Sequence, residues 1–275
     1  MTRGVNDGII RGHREGILTS ATLMANGLAF DHAAKKAAEN PNLGIGCHLV
    51  LVGGKPVAAP EEVPSLLDSE GNLPDSLALF VARVTAGMIK TDDIERELTA
   101  QIQKIRNAGI VPSHVDSHKH THAHPWVMEV VGKVAQRFGI TKIRRPVENL
   151  RDSWDTSRGE IQSAGQIVAA GAVRVVASRF GAIAEKYQLT CPDHFLGLAM
   201  TGQLGPAALG RMAESVEEGT TEIMLHPGIC DADLAASGSR LQHQRQDELD
   251  GLLDGGVRAA FLQRGIHFIS YRELN

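Results

Sequence analysis

The sequence predicts an α/β protein with a mostly parallel sheet, and three observations carry that prediction. Segments of strand character alternate with segments of helical character along the 275 residues, the order that sets parallel strands side by side with helices as crossovers. Three of the candidate strands carry a histidine at or near the edge where active sites collect in such folds. No linker or low-complexity stretch divides the chain, so residues 1–275 read as one domain, although length by itself allows two small domains or one α/β barrel.

Taken in order, residues 17–24 and 43–51 have strand character, and the Ala-rich stretch 30–39 between them is helical, which makes a βαβ unit. His48 sits near the middle of the second strand, on the opposite face from Cys47. Residues 53–74 carry Pro56, Pro60, Pro64 and Pro74 and are long for a connection, so they read as a lid or as a surface excursion. A helix is expected over 91–107, capped by Thr91 or Asp92, with acids in its first turn and Gly109 beyond its end.

The next segment is the most informative. In His114-Val115-Asp116-Ser117-His118-Lys119-His120-Thr121-His122-Ala123-His124 every even position is an acid or an imidazole. Extended backbone would place Asp116, His118, His120 and His122 on one face, with His114 and His124 at the ends turned away. Imidazole and carboxylate ligate divalent first-row metals and move protons near neutral pH, so a hydrolase site is the first reading. His48 and His118, on different strands, could converge on one mouth and share an ion.

Pro125 opens a helix to about residue 137, and 141–146 is a short strand carrying Arg144 and Arg145. Adjacent strand residues face opposite ways, so one arginine can reach the mouth to grip a hydroxyl or carboxylate. Residues 161–187 read as mainly helical, with Trp154 ahead of them, and Asp193-His194-Phe195 as a loop offering an aromatic platform or ordinary packing. Residues 222–228 form a strand ending on His226-Pro227-Gly228, where His226 reads as a general acid or substrate ligand; 265–271 is the last strand. His13, His32 and His243 fall on polar helical segments and are expected in solvent.

Composition narrows the function. Hydrophobic residues make up 43%, charged residues 22%, and the formal net charge is −4, so no broad basic surface for nucleic acid is expected. Cys47, Cys191 and Cys230 have no CxxC spacing and read as reduced. No stretch is apolar enough to span a bilayer and the first residues lack a signal-peptide core, so a cytoplasmic location is expected. Serine-hydrolase, P-loop and dinucleotide motifs are missing from the sequence.

Residues 17–27, the Gly46-Cys47-His48-Leu49 element, the His114–His120 segment and Leu225-His226-Pro227-Gly228 together resemble the YdjC-like carbohydrate deacetylases, the ChbG/HpnK family, over nearly the whole chain. The resemblance implies a distorted (β/α) barrel of the glycoside hydrolase/deacetylase type. It implies metal-dependent removal of the N-acetyl group from an amino sugar or chitooligosaccharide, with hopanoid-associated members leaving the substrate open. The implied cofactor is a divalent ion, magnesium first and zinc as the alternative, held by an aspartate near the amino terminus and two histidines that correspond to His48 and His118. Catalytic roles fall to His226, protonating the leaving nitrogen, and to Asp116, orienting an imidazole. His120, His122, Arg144, Arg145 and His194 are the expected substrate contacts; the oligomeric state is left open by the sequence, with a homodimer as one option. The family's first strand ends in Asn-Ala-Asp-Asp-Phe-Gly, and Thr2-Arg3-Gly4-Val5-Asn6-Asp7 matches the helix after it. That strand and its two aspartates are thus expected to be missing from this chain, through a start codon placed too late or a true truncation. A metal-dependent phosphoesterase, a glycosidase and a catalytically impaired sugar-binding protein of the same fold are the competing readings.

Overall fold

The computed structural model describes residues 1–149, 171, 173–174 and 176–275; Trp154 and the first part of the helical segment expected at 161–187 lie outside the described residues. Helix α1 (Arg3–Glu15) opens the chain, with the Thr2 hydroxyl accepting the Val5 N–H at 3.4 Å as its cap. Strand β1 (Ser20–Leu23), helix α2 (Phe30–Ala38) and strand β2 (Gly44–Leu49) form the expected βαβ unit, with β1 parallel to β2. Strand β3 (Val115–Ser117) lies parallel on the other side of β2, in a register that sets His48 opposite Asp116.

Single parallel bridges, Val115 to Ile143 and Lys142 to Thr190, carry the wall onward. It ends in a second parallel pair, β4 (His194–Leu196) and β5 (Thr221–Ile223). This curved run of parallel segments, with helices outside it, is a distorted (β/α) barrel.

Helices α4 (Thr91–Asn107) and α5 (Pro125–Arg137), which follow α3 (Leu77–Thr85), pack against each other. Each turns one apolar stripe inward, so that Leu98, Ile102 and Ile105 share a core with Val127, Val131 and Val134. Each such side chain contributes about 1.5–3 kcal/mol by leaving water. A second core gathers Leu196, Met200, Leu204, Leu252 and Phe261. Around it lie α7 (Pro206–Met212), α9 (His243–Leu253) and α10 (Gly255–Gln263), with α6 (Phe180–Lys186) and α8 (Ala232–Ala236) completing the named helices.

Several sequence expectations change in three dimensions. Residues 53–74 are no lid: Val63, Leu66 and Leu73 are buried in the core, and the Glu97 carboxylate accepts the N–H groups of Val57 and Ala58. Lys90, without a side-chain hydrogen bond, takes the cap position expected of Thr91 or Asp92. Asp193-His194-Phe195 leads into a strand rather than remaining a loop, because Thr221 to Ile223 supplies a ladder partner. The 222–228 strand stops at Ile223, and residues 266–270 form no ladder at all. Strand identity depends on a partner across the sheet, and these stretches border a cavity instead.

Helix α1 meets the loop after β5 so closely that a Cβ on Gly8 would lie 2.7 Å from Gly228 Cα and 2.8 Å from the Ile229 nitrogen. Alanine would favour the helix by about 1 kcal/mol, but overpacking against rigid backbone costs about 1–3 kcal/mol. Gly8→Ala is therefore expected to lower the urea unfolding midpoint; a raised midpoint would show that the α1–loop contact is looser than described. Among the described residues no helix is long and apolar enough to cross a membrane.

Candidate functional site

A chain of paired polar groups runs across the strand ends. His48 Nδ1 and Asp116 Oδ1 are 2.8 Å apart, brought together by the β2–β3 register. The other Asp116 oxygen accepts from Arg144 Nη1, and Arg144 Nε and Nη2 donate to Glu222 Oε1 at 2.9 and 2.7 Å. Tyr271 donates its hydroxyl proton to Glu222 Oε2 at 2.6 Å, and its ring stacks on His114 with centroids 3.7 Å apart. Gly46 makes room for that stack, since a Cβ there would sit 2.5 Å from His114 Cε1. The Asp116 side chain is completely inaccessible and Arg144 nearly so.

Burial would by itself raise the Asp116 carboxyl, but its hydrogen-bonded neighbour His48 and the Arg144 charge prevail and hold it well below the usual carboxylate range. Burial opposes the Arg144 charge too, and Glu222 and Asp116 overcome it, so the guanidinium stays firmly protonated. Breaking one member of such a set would strand an uncompensated buried charge.

His118 follows β3, its ring 5.6 Å from that of His48 in an edge-on arrangement. Burial pushes its imidazole down to about 4. Beyond it the histidine tract is not extended. His118–Ala123 is a 3₁₀ turn in which Lys119 and His120 take left-handed φ values of 52° and 53°. Ser117 Oγ closes this turn by accepting the His122 N–H at 2.9 Å and the Thr121 hydroxyl at 3.0 Å, a local bond that competes with continued strand.

The shared face expected for Asp116, His118, His120 and His122 therefore does not exist. His122 is fully buried, with Nδ1 2.6 Å from Ser117 Oγ and Nε2 3.0 Å from the Arg144 carbonyl, and it braces the turn. His120 borders the cavity, edge-on to Phe195, and its buried Nδ1 has no partner.

His226, just past β5, lies on the same cavity as His48, His118 and His120, a space of about 1430 Å³. Its Nδ1 is buried without a hydrogen bond, and burial, aided by the Arg245 charge, pushes the imidazole down to about 3. Of the two arginines Arg144 turns inward and Arg145 is exposed; Arg144 lines the cavity while one N–H on each of its three nitrogens is committed to Asp116 or Glu222. His194 stands apart from the cavity, with Nε2 3.1 Å from the Glu218 carbonyl. Phe195 is packed under Arg144 and His120 and presents no open platform.

His114 is buried against Tyr271, not turned out, because the β2 glycine admits it. His13, expected in solvent, is half-buried with Nδ1 2.8 Å from the Leu18 carbonyl. Sequence reasoning missed Glu222 and Tyr271. Strand alternation offered one signal, since Glu222, Met224 and His226 share a parity, but the partner that makes Glu222 matter lies 78 residues away.

Among the described residues no three His, Cys, Asp or Glu side chains converge to hold a metal ion. His48, with Nδ1 on Asp116, leaves Nε2 for a ligand bond, the carboxylate–histidine pairing usual behind a metal. With His118 it fits part of a donor set. Both donors are imidazole nitrogens, which suit zinc and similar ions better than magnesium, a cation that prefers oxygen.

Parallel strands whose ends converge a carboxylate-held imidazole, a second imidazole beside it and a third across a cavity define a hydrolytic barrel enzyme. The chain belongs to the YdjC-like protein family, whose model matches residues 1–263. It is 35% identical over 272 residues to a carbohydrate deacetylase of Geobacillus stearothermophilus, covering 99% of this chain and 93% of that one. A chitooligosaccharide deacetylase of Serratia marcescens is 30% identical over 280 residues, covering 100% of this chain and 95% of that one. A crystal structure from Enterococcus faecalis V583, of a protein described as a candidate for cellobiose-phosphate cleavage, shares the fold with a TM-score of 0.72 at 24% identity, over 99% of this chain and 94% of that one.

Proposed function

We propose that this protein is a carbohydrate N-deacetylase that hydrolyses the acetamide of an amino sugar or chitooligosaccharide to acetate and a free amine. The observation that carries the reading is the His48–Asp116 pair, with His118 beside it and His226 on the same cavity, in a chain whose relatives are named for that reaction. His48 and His118 would hold a divalent ion, zinc or magnesium, which when bound supplies Lewis-acid polarisation of the acetyl carbonyl and a more acidic water.

The remaining work belongs to the chain's own side chains. Asp116 fixes the His48 tautomer by accepting its Nδ1–H, and Arg144 keeps that carboxylate ionised. At neutral pH His226 carries no extra proton, since burial lowers its imidazole to about 3. It therefore begins as the acceptor: it takes a proton from the attacking water as the water oxygen bonds to the acetyl carbon. The same proton then passes to the amide nitrogen as the carbon–nitrogen bond breaks. The acid role expected of His226 from the sequence becomes the second half of a shuttle.

The test is acetate release from a panel of N-acetylated chitooligosaccharides with added zinc or magnesium. Turnover is expected with the wild type, and His226→Ala should lower kcat by roughly 10²–10⁴-fold. An unchanged rate in that variant would remove His226 from the chemistry; no acetate from any sugar with either metal would overturn the deacetylase reading.

A further inference from the structure

His226 has no hydrogen bond on its buried ring nitrogen Nδ1, yet its peptide unit is held on both sides by one turn of α9. Glu248 Oε2 accepts the His226 N–H, and Arg245 Nη1 donates to the His226 carbonyl at 3.0 Å. The same side chains tie in two further segments: Glu248 Oε1 accepts the Gly202 N–H at 2.8 Å, and Arg245 Nε donates to the Leu241 carbonyl at 3.2 Å. The backbone carbonyl of Arg245 accepts the Gly228 N–H at 3.0 Å, two residues past the histidine.

Glu248 is completely buried and Arg245 nearly so, and placing charges there is expensive unless they do something apolar side chains cannot. Three residues apart on one helix, they face the same way. Pro227 adds a further restriction by confining the His226 backbone to extended conformations. With no hydrogen bond at Nδ1, the imidazole takes its place from the peptide that bears it.

We infer that Arg245 and Glu248 form a clamp whose role is to position the His226 imidazole, by gripping the His226 peptide and, through Gly202, coupling it to the loop after β4. They are positioning residues for the proposed reaction. The inference builds on the proton shuttle assigned above. Glutamine at 248 keeps one acceptor oxygen and sets an NH₂ group against the other backbone donor, so one arm of the fork opens. Lysine at 245 keeps the charge but replaces the planar fork with a single ammonium.

The experiment pairs kinetics with NMR of the full chain labelled with ¹⁵N-histidine. In Glu248→Gln and Arg245→Lys the His226 ring resonance is expected to shift or split while those of His114 and His122 stay in place. Turnover on the N-acetylated sugar should fall on the order of 10²-fold in kcat with KM unchanged, as misplacement by about 1 Å would give. In the H226A background Glu248→Gln should slow the enzyme no further. A His226 resonance and kcat like the wild type in both variants would overturn the clamp. So would a full additional loss in the H226A background, because Glu248 would then be acting elsewhere. If His226→Ala turns over normally while Glu248→Gln still moves the His226 signal, the clamp stands and the shuttle falls.

Discussion

Asp116→Asn is expected to reduce deacetylation by about 10–100-fold and to destabilise the fold by about 3–5 kcal/mol, the largest joint effect of any single change at the site. The asparagine has the same shape, so no cavity forms. What disappears is the negative charge between His48 and Arg144, in a place no water reaches. Arg144 then retains Glu222 as its one anionic partner, and the surplus guanidinium charge stays buried. An amide NH₂ turned towards His48 Nδ1 would also favour the wrong imidazole tautomer.

Urea unfolding gives the stability loss, and kcat/KM on an N-acetylated chitooligosaccharide gives the catalytic one. A variant with wild-type turnover would show that Asp116 does not orient His48 for the reaction. Wild-type stability would show that Arg144 finds relief elsewhere.

Acid should destabilise the protein steeply from about pH 6 downward, because buried imidazoles are kept neutral in the fold. His114 and His122 are almost completely inaccessible, and burial lowers them to about 3 and about 4. In the unfolded chain each titrates near 6.5. Between those values the unfolded state binds a proton that the native state refuses, so stability rises with pH. Their contribution is complete above about pH 6.5 and is lost as pH falls towards the folded values.

Each imidazole supplies about 1.4 kcal/mol per pH unit in that window, and the pair about 3. His226 and His120, also lowered by burial, act in the same direction. Glu248 opposes them. Burial raises its carboxyl to about 7, so its contribution is present below its unfolded value and is lost as pH rises through neutrality, which offsets one imidazole. The imidazoles outnumber it, and the acid side loses. Urea midpoints at pH 7 and pH 5 in a chelator would measure this; a flat profile would mean that water reaches His114 and His122.

The helices over 30–38, 91–107 and 125–137 were legible in the sequence, because apolar spacing, alanine content and an opening proline are local properties. The parallel pairing of β1 with β2 was legible in the same way, since a helix between two strands leaves little other choice. So was the inventory of His48, Asp116, His118 and His226, four side chains of the right chemistry near the ends of apolar runs.

Their roles were not legible. The histidine tract reads as one extended face, yet Ser117 folds it into a turn and sends His122 into the core, because no neighbouring strand competes for that backbone. Arg144 reads as a free grip for a ligand, but Asp116 and Glu222 meet it across 28 and 78 residues of chain and make it a brace. Tyr271 and Glu248 carry no local mark of function, and Glu222 only its strand parity with His226; their importance comes from burial and from partners that only folding brings near. The sequence by itself determined the α/β order and which reactive groups the strands carry. Register, burial and the pairing of charges were decided by the tertiary structure, because each depends on atoms distant along the chain and on the exclusion of water between them.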